Sequence, residues 1–251
     1  MALTQGANAA LSLPCELSAT AKDASIMTQI EDKLRLLLQI QRGFLFQYGW
    51  LRSWWKGRPV DARGAPLPWI TYPAIDFLSQ FDFSDASVFE WGSGFSTLWW
   101  SQRCRRIASV ESNQDWVLYI KQLLPKSVDL LVTALDANSE IEALTKHHTV
   151  RNDVFVIDNY GPFRRYCAEA AADNVTDGGL IVLDNSDQCP RAAEVLRIRG
   201  FTQMDFTGFA PGNGYAQSTS LFFRQYLKFA TSQKDQPRLS PAQPNSTWKD
   251  C

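Results

Sequence analysis

Short apolar segments alternate with segments of helical pattern between residues 87 and 223, and this alternation restricts the fold more than any other feature of the sequence. The clearest apolar segment is Val154-Phe155-Val156-Ile157, which is bounded by Asp153 and Asp158. An unbroken run of this kind is typical of a parallel strand that is covered on both faces. Strands that alternate with helices form a mostly parallel sheet with right-handed crossovers. The predicted fold class is therefore α/β, with a mostly parallel sheet.

Seven strands and four intervening helices are predicted in this region. The strands are Ser87–Glu90, Arg106–Glu111, Val128–Val132, Asp153–Asp158, Leu180–Asp184, Phe201–Phe206 and Ser218–Phe223. The helices are Ser96–Arg103, Gln114–Leu124, Arg164–Asn174 and Arg191–Arg199. Residues 211–214 contain Pro and Gly, which favours a hairpin-like connection between the last two strands.

Changes in residue pattern along the chain predict four segments. Residues 1–26 are small and polar and are expected to form a flexible arm. Residues 27–84 have a helical pattern at their start and are expected to form an N-terminal helical lid or substrate segment. Residues 85–228 hold the alternating pattern and form the predicted ligand-binding domain. Residues 229–251 are polar and contain Pro, which predicts a disordered tail.

Composition excludes several classes of protein. The formal net charge is −1 and no Lys/Arg cluster dominates, so the basic surface expected of a nucleic-acid binder is missing. The most apolar long segment, Ile30–Trp50, contains five charged residues, and no membrane span is predicted. The five cysteines form no C-x-x-C pair, and the N-terminus lacks the pattern of a signal peptide. We therefore expect a cytoplasmic protein, either a monomer or a homodimer.

The turn Glu90-Trp91-Gly92-Ser93-Gly94 joins the first predicted strand to the helix that follows it. Glycines let a backbone turn tightly and come close to a ligand. In open α/β sheets, ligands bind beyond the carboxyl ends of the strands. The turn and the start of the helix are therefore predicted to hold a cofactor. Their candidate binding residues are Glu90, Gly92, Ser93, Gly94, Ser96 and Thr97.

Glu111 supports the prediction of a cofactor site. Together with Thr97 and Glu90, it also helps to distinguish between two kinds of cofactor. It ends the second strand, seventeen residues after Gly94, where a carboxylate can accept both ribose hydroxyls of a nucleoside; Ser112 adjoins it. A nicotinamide dinucleotide and S-adenosylmethionine would both use this carboxylate. Thr97 occupies the place of the third glycine in the dinucleotide motif. Glu90 would suit an ammonium group and repel a pyrophosphate, which favours S-adenosylmethionine.

These motifs resemble those of the class I S-adenosylmethionine-dependent methyltransferases. The resemblance extends from about Trp69 to Arg224, and its stretches are Val88–Thr97, Val110-Glu111, Val156–Asp158 and Gly178–Asn185. Within the superfamily the chain looks most like small bacterial domains with a G-S-G-x-S-T turn, and less like the catechol-type O-methyltransferases. The resemblance implies a Rossmann-like three-layer sandwich with a mostly parallel seven-stranded sheet whose last strand is antiparallel. It also implies that Tyr72 and Trp69 line the methionine end of the cofactor.

The candidate catalytic residues follow the fourth strand. Asp158 would lie beside the sulfonium group as a general base, a hydrogen-bond acceptor or a metal ligand. Tyr160 is expected to contact the acceptor, and Arg164 to orient an anionic or sugar-like acceptor. In the catechol-type enzymes that the chain resembles, positions matching Asp158, Asp184 and Asn185 bind Mg²⁺. A metal is not favoured here, because Asp-Asn is also an ordinary turn pair.

The function predicted from the sequence is methyl transfer from S-adenosylmethionine to a small-molecule or saccharide-like acceptor, with oxygen as the accepting atom. Two alternatives stay open. One is a nicotinamide-dependent oxidoreductase. The other is a non-catalytic binding module on the same fold, with Trp50, Trp54 and Trp55 on its docking surface.

Overall fold

The computed structural model describes residues 21–146, 150–232 and 240–242. Seven strands of this part of the chain form one sheet. They are β1 (Ser87–Trp91), β2 (Arg106–Glu111), β3 (Val128–Val132), β4 (Asn152–Ile157), β5 (Val175–Leu183), β6 (Thr202–Phe209) and β7 (Ala216–Phe223). Their order across the sheet is β3-β2-β1-β4-β5-β7-β6.

The strand directions confirm the predicted fold class. Strands β1 to β5 are parallel, whereas β7 lies between β5 and β6 and is antiparallel to both. The chain order reverses at β1, which pairs with β2 on one side and β4 on the other. Trp91, the last residue of β1, is in register with Val110 and Ile157. The carboxyl ends of three strands therefore meet at the reversal point, where open α/β sheets bind ligands.

Helices connect the strands and precede the sheet. They are α1 (Ala21–Ile40), α2 (Trp50–Lys56), α3 (Tyr72–Leu78), α4 (Phe95–Ser101), α5 (Gln114–Ile120), α6 (Ala137–Lys146), α7 (Arg164–Asn174) and α8 (Pro190–Ile198). A π-helix over Gln41–Gln47 and a 3-10 turn over Gly161–Phe163 complete the helical elements. Within the described ranges, none of these helices combines the length and the apolar character that crossing a bilayer requires.

The core explains why the fourth strand has an unbroken apolar run. Phe155 and Ile157 belong to one hydrophobic cluster, and Val154 and Val156 belong to another. Successive side chains of a strand point to opposite faces, so the two clusters lie on the two sides of the sheet. One cluster packs the strands against residues of α6, α7 and α8, and the other packs them against α3 and α4. Both faces of β4 are buried, as the sequence predicts.

The N-terminal boundaries differ from those predicted. The first helix begins at Ala21, inside the expected arm of residues 1–26; the rest of that arm lies outside the described residues. The described residues up to Ile40 form one unit and those from Gln41 onward another, so a boundary between units falls within the expected segment 27–84. Residues 41–84 belong with the sheet because Tyr72, Ile75 and Leu78 are part of its core. Helix α1 exposes most of its large apolar side chains.

The C-terminal boundary also differs. The expected tail begins at residue 229, but the Phe229 ring packs against Phe83 at a centroid distance of 4.6 Å. The Asp82 N–H donates to the Ala230 carbonyl at 2.8 Å, and Thr231 forms a β-bridge with Phe81. Residues 229–232 therefore continue the folded unit. Most of the remaining expected tail, residues 233–239 and 243–251, lies outside the described residues.

Candidate functional site

A cavity of about 490 Å³ opens at the reversal point of the sheet, beyond the ends of β1, β2 and β4. It is lined by Pro59, Trp69, Gly92, Ser93, Gly94, Phe95, Ser96, Val110, Glu111, Ser112, Asn113, Trp116, Leu135, Glu140, Asp158, Asn159 and Tyr160. Most of the candidate cofactor, catalytic and metal-binding residues from the sequence are in this set. The exceptions are Glu90 and Thr97, which lie beneath the turn, Arg164 and the Asp184-Asn185 pair, which lie behind Asp158, and Tyr72.

Gly92 is required by the backbone of the turn. Its φ is +99°, a left-handed conformation that side chains with a Cβ rarely adopt. A Cβ at this position would lie 2.5 Å from the Asp158 carbonyl oxygen. The glycine therefore lets the turn after β1 pass directly beside the chain that leaves β4.

Gly94 has a different reason to be glycine. Its φ is −176°, an extended value open to any residue. The atoms nearest to an added Cβ would be Ser96 Oγ and Trp116 Cζ2, both at 3.9 Å, so the protein leaves room for one. Because Gly94 lines the cavity, a side chain here would take up space beside the cavity wall. This is the geometry expected where a ligand lies against the backbone.

Glu90 is completely buried at the end of β1. Ser109 Oγ donates to its Oε2 at 2.7 Å, and Thr97 Oγ1 donates to the same oxygen. Burial raises the pKa of Glu90 to about 7, although the hydroxyls of Ser96, Thr97 and Ser109 oppose this shift. Thr97 Oγ1 also accepts from the Gly94 N–H at 2.8 Å. Glu90 and Thr97 thus hold the turn from below, and neither lines the cavity.

Glu111 forms part of the cavity wall at the end of β2. Its Oε1 accepts from the backbone N–H groups of Ser112 at 2.9 Å and Asn113 at 2.8 Å. Burial raises the pKa of Glu111, and these N–H groups oppose the shift. The two hydrogen bonds fix the direction of the carboxylate, as a group that binds a ligand requires.

Arg164 is buried and forms an ion pair beside the cavity with Asp158, whose side chain is 22% exposed. Asp158 Oδ1 lies 3.0 Å from Arg164 Nη2, and Arg164 is only 7% exposed. Burial raises the pKa of Asp158 to about 6, and the guanidinium limits this shift. Arg164 Nε donates to the Asn159 carbonyl at 2.8 Å, and Nη1 donates to the Asp184 carbonyl. Arg164 therefore ties the end of β4 to the end of β5.

The three residues considered for Mg²⁺ are engaged by donors of the protein itself. Asp158 faces the Arg164 guanidinium, and Asn185 Oδ1 accepts from Arg164 Nη1 at 3.2 Å. The Asp184 carboxylate accepts from Thr219 Oγ1 at 2.7 Å, and burial raises its pKa to about 8. These donors thus already engage at least one oxygen of each of the three side chains. The arrangement fits a guanidinium and does not fit a divalent cation.

Acidic side chains dominate the charge of the cavity. Glu111, Glu140 and Asp158 line it, and Glu90 lies directly beneath the turn. Of the described residues that line the cavity, none is Lys or Arg. Glu140 is buried on α6, its Oε2 accepts from Asn159 Nδ2, and burial raises its pKa. Such a cavity favours a ligand that carries positive charge.

Several lining residues were missed by sequence analysis. Glu140 lies on α6, in a segment for which the sequence predicts neither a helix nor a strand. Trp116 lies on the predicted helix after β2, and its Nε1 donates to the Ser93 carbonyl at 2.6 Å. Its place in the sequence could have identified Trp116, because it lies in the first turn of the helix that follows β2. The start of that helix is close to the strand ends where ligands bind in open α/β sheets. Leu135, after β3, carries no such signal.

Tyr72 does not reach the cavity. It lies on α3 in the hydrophobic core, where its ring contacts Tyr48 edge-to-face at a centroid distance of 5.0 Å. Burial raises the pKa of its hydroxyl. Trp69, three residues earlier, does line the cavity. The exposed rings of Trp54 and Trp55 on α2 are not among the lining residues.

Comparisons with known proteins show the fold. No protein-family model and no curated protein matches the sequence. Among solved structures, precorrin-6y C5,15-methyltransferase from Geobacter metallireducens matches with a TM-score of 0.50 and 18% identity over 61% of this chain and 87% of that one. An O-methyltransferase from Streptomyces achromogenes, solved with S-adenosylmethionine, matches with a TM-score of 0.48 and 16% identity over 59% and 74% of the two chains. At 18% identity the first likeness establishes a shared fold only.

Proposed function

We propose that this protein is an S-adenosylmethionine-dependent methyltransferase that acts on a small-molecule acceptor, with oxygen as the accepting atom. The observation that carries the proposal is the charge of the cavity at the reversal point. Glu111, Glu140 and Asp158 line it without a lysine or arginine among its described lining residues. S-adenosylmethionine bears a sulfonium and an ammonium group, so these carboxylates complement it.

The residues around the cavity form two groups. One suits the nucleoside part of this cofactor, and the other suits its positively charged amino-acid part. Glu111, held by two backbone N–H groups, is placed to accept hydrogen bonds from a ribose diol. Trp116 and Leu135 supply apolar surface for an adenine ring. Asp158 lies at the end of β4, and Glu90 lies under Gly94; both suit the positively charged end. The space left by Gly94 supports a ligand lying along the turn.

The same charges weigh against a nicotinamide dinucleotide. Its pyrophosphate carries negative charge and binds where backbone N–H groups or cations surround it. Here it would lie beside carboxylates, and repulsion between like charges is strong in a partly buried site. The acidic cavity therefore supports methyl transfer over the oxidoreductase alternative.

The chain's own residues would serve the reaction mainly by alignment. The cofactor, when bound, supplies a methyl group on a positively charged sulfur. Asp158 has a pKa of about 6 and lines the cavity, so its carboxylate can accept a hydrogen bond or a proton from an acceptor hydroxyl. Tyr160 is more than half exposed at the cavity edge, where it can contact the acceptor. Arg164 is a positioning residue, because its contacts hold Asp158 in place.

Glu111→Ala is expected to weaken binding of S-adenosylhomocysteine by about 1–3 kcal/mol, because ribose hydroxyls lose a charged acceptor in a partly buried site. Isothermal titration calorimetry at constant pH measures the change. Glu142→Ala is the matched control, since Glu142 is an exposed carboxylate paired with Lys146 on α6. Equal affinities for the Glu111 and Glu142 variants would contradict the assignment. A wild-type protein that does not bind the ligand would overturn the proposed function.

Binding of S-adenosylmethionine is expected to tighten as pH rises from 5.5 to 8. A cationic ligand binds the ionised carboxylates more tightly, and the pKa values of Asp158 and Glu90, about 6 and about 7, lie in this range. As the pH rises toward the pKa of each carboxyl group, ionisation of that group can increase the affinity for the cationic ligand by up to about tenfold per pH unit. Calorimetric titrations at the two pH values measure the effect, and Asp158→Asn should reduce it. A dissociation constant that is independent of pH would contradict this role for the carboxylates.

A further inference from the structure

A second cavity, of about 710 Å³, lies behind the Asp158–Arg164 ion pair. Its charged lining residues are Arg164, Arg165 and Arg191, and none of its described lining residues is Asp or Glu. The first cavity has the opposite character, with carboxylates and no cation among its described lining residues. We propose that the second cavity binds a carboxylate or phosphate group carried by the methyl acceptor. This inference rests on the proposed function.

The two cavities are close enough to serve one reaction. Tyr160 lines the first, and the next two residues, Gly161 and Pro162, line the second. Asp158 lines the first cavity and Arg164 the second, and their side chains are 3.0 Å apart. The wall between them is therefore one turn of chain and one ion pair. An acceptor whose anionic group lies in the second cavity would extend past Tyr160 and Gly161 to bring its hydroxyl beside Asp158 in the first cavity.

The charge available to an anion comes from two of the three arginines. The Asp158 carboxylate already neutralises the charge of Arg164. Arg165 pairs with Glu169 at 3.1 Å, but both side chains are exposed, and such surface pairs contribute little. Arg191 is exposed at the start of α8. The Asn185 and Gln188 amides add uncharged hydrogen-bonding groups to the same walls.

Carboxylate and phosphate are the ligand groups that best match this lining. The planar guanidinium group donates two parallel hydrogen bonds to either of them, and such charge-assisted bonds are stronger than neutral ones. A neutral acceptor would use only the amides. The opposite charges of the two cavities would also separate the ligands, with the cationic cofactor on one side and the anionic acceptor on the other.

The test titrates phenyl phosphate into the full-length protein saturated with S-adenosylhomocysteine, with phenol as the uncharged counterpart. Wild-type protein is expected to bind phenyl phosphate and not phenol. The double variant Arg165→Gln/Arg191→Gln is expected to lose at least ~10-fold in phenyl phosphate affinity. Its affinity for S-adenosylhomocysteine should be unchanged. Arg105→Gln is the matched control, because Arg105 is exposed at the opposite end of the sheet, just before β2.

The outcomes separate this inference from the proposed function. Equal phenyl phosphate affinity in the wild type and the double variant would overturn the anion site, as would no phenyl phosphate binding by protein that binds S-adenosylhomocysteine. Phenyl phosphate binding that depends on both arginines, in protein that does not bind S-adenosylhomocysteine, would overturn the acceptor role and the proposed function together.

Discussion

Gly94→Val is expected to abolish measurable binding of S-adenosylmethionine while leaving the protein folded. The backbone at Gly94 is extended, and the protein atoms nearest to an added Cβ lie at 3.9 Å, so the folded protein has room for the Cβ of a new side chain. The valine side chain would fill part of the cavity of about 490 Å³ that Gly94 lines. We expect a loss of at least ~100-fold, or about 2.8 kcal/mol in binding free energy. Gly94→Ala should show a smaller loss.

Calorimetric titration measures the binding, and thermal unfolding measures the stability of each variant. Gly92→Ala is the matched comparison, since its Cβ would lie 2.5 Å from the Asp158 carbonyl at a φ of +99°. That variant should lose about 2–6 kcal/mol of stability, because a strained φ and overpacking each cost about 1–3 kcal/mol. If Gly94→Val binds like the wild type, the ligand does not lie along the turn.

Arg164→Ala is expected to lower the free energy of unfolding by about 3 kcal/mol, the lower end of the usual cost of removing one partner of a buried ion pair, because the remaining Asp158 side chain is 22% exposed. Arg164 is 7% exposed and donates to the Asp158 carboxylate, to the carbonyls of Asn159 and Asp184, and to Asn185. Its loss would leave Asp158 without a cation, beside Asp184, whose ionisation is already opposed by the charge of Asp158. The ends of β4 and β5 would also lose their link.

Urea-induced unfolding of the variants tests this prediction. Arg165→Ala is the control on the same helix, since the exposed pair of Arg165 with Glu169 should contribute no more than about 1 kcal/mol. Arg164→Lys should recover part of the stability, because a lysine keeps the charge but cannot form the same set of planar contacts. If the Arg164→Ala and Arg165→Ala proteins unfold at the same urea concentration, Arg164 does not hold the two strand ends together.

The sequence predicted the sheet well where strands are short and buried. The bounds of β2 and β3 are the same in the sequence analysis and in the structure. The start of β5 was wrong, because Asp177-Gly178-Gly179 is typical of a turn, whereas the strand begins at Val175 and passes through these residues. The pairing of β4 with β5 shifts register between Asn152 and Val154. A strand irregularity of this kind lets glycines that normally mark a turn lie within a strand.

The candidate cofactor residues were predictable to the extent that they follow a strand along the chain. Gly92, Gly94, Glu111 and Asp158 each come directly after, or at the end of, a parallel strand, and such ends meet at one edge of a sheet. Glu140 could not be found in this way, because it reaches the cavity from α6. Tyr72 was assigned to the cavity through a resemblance, but the structure places it in the core, where packing on α3 decides its position.

By itself, the sequence determined the fold class, the turn after β1 and the carboxylates that follow the strands, because period, glycine position and strand ends are local properties of a chain. Only the tertiary structure decided that Gly92 and Gly94 are glycines for different reasons. It also decided that the Arg164 guanidinium, and not a metal ion, bridges the side chains of Asp158 and Asn185. The adjacency of two cavities of opposite charge likewise became visible only in the structure. Each of these depends on atoms of residues far apart in the chain, such as Arg164 Nη1 and the carbonyl of Asp184, twenty residues later. Sheet order and register set such distances, and no local pattern in the sequence contains them.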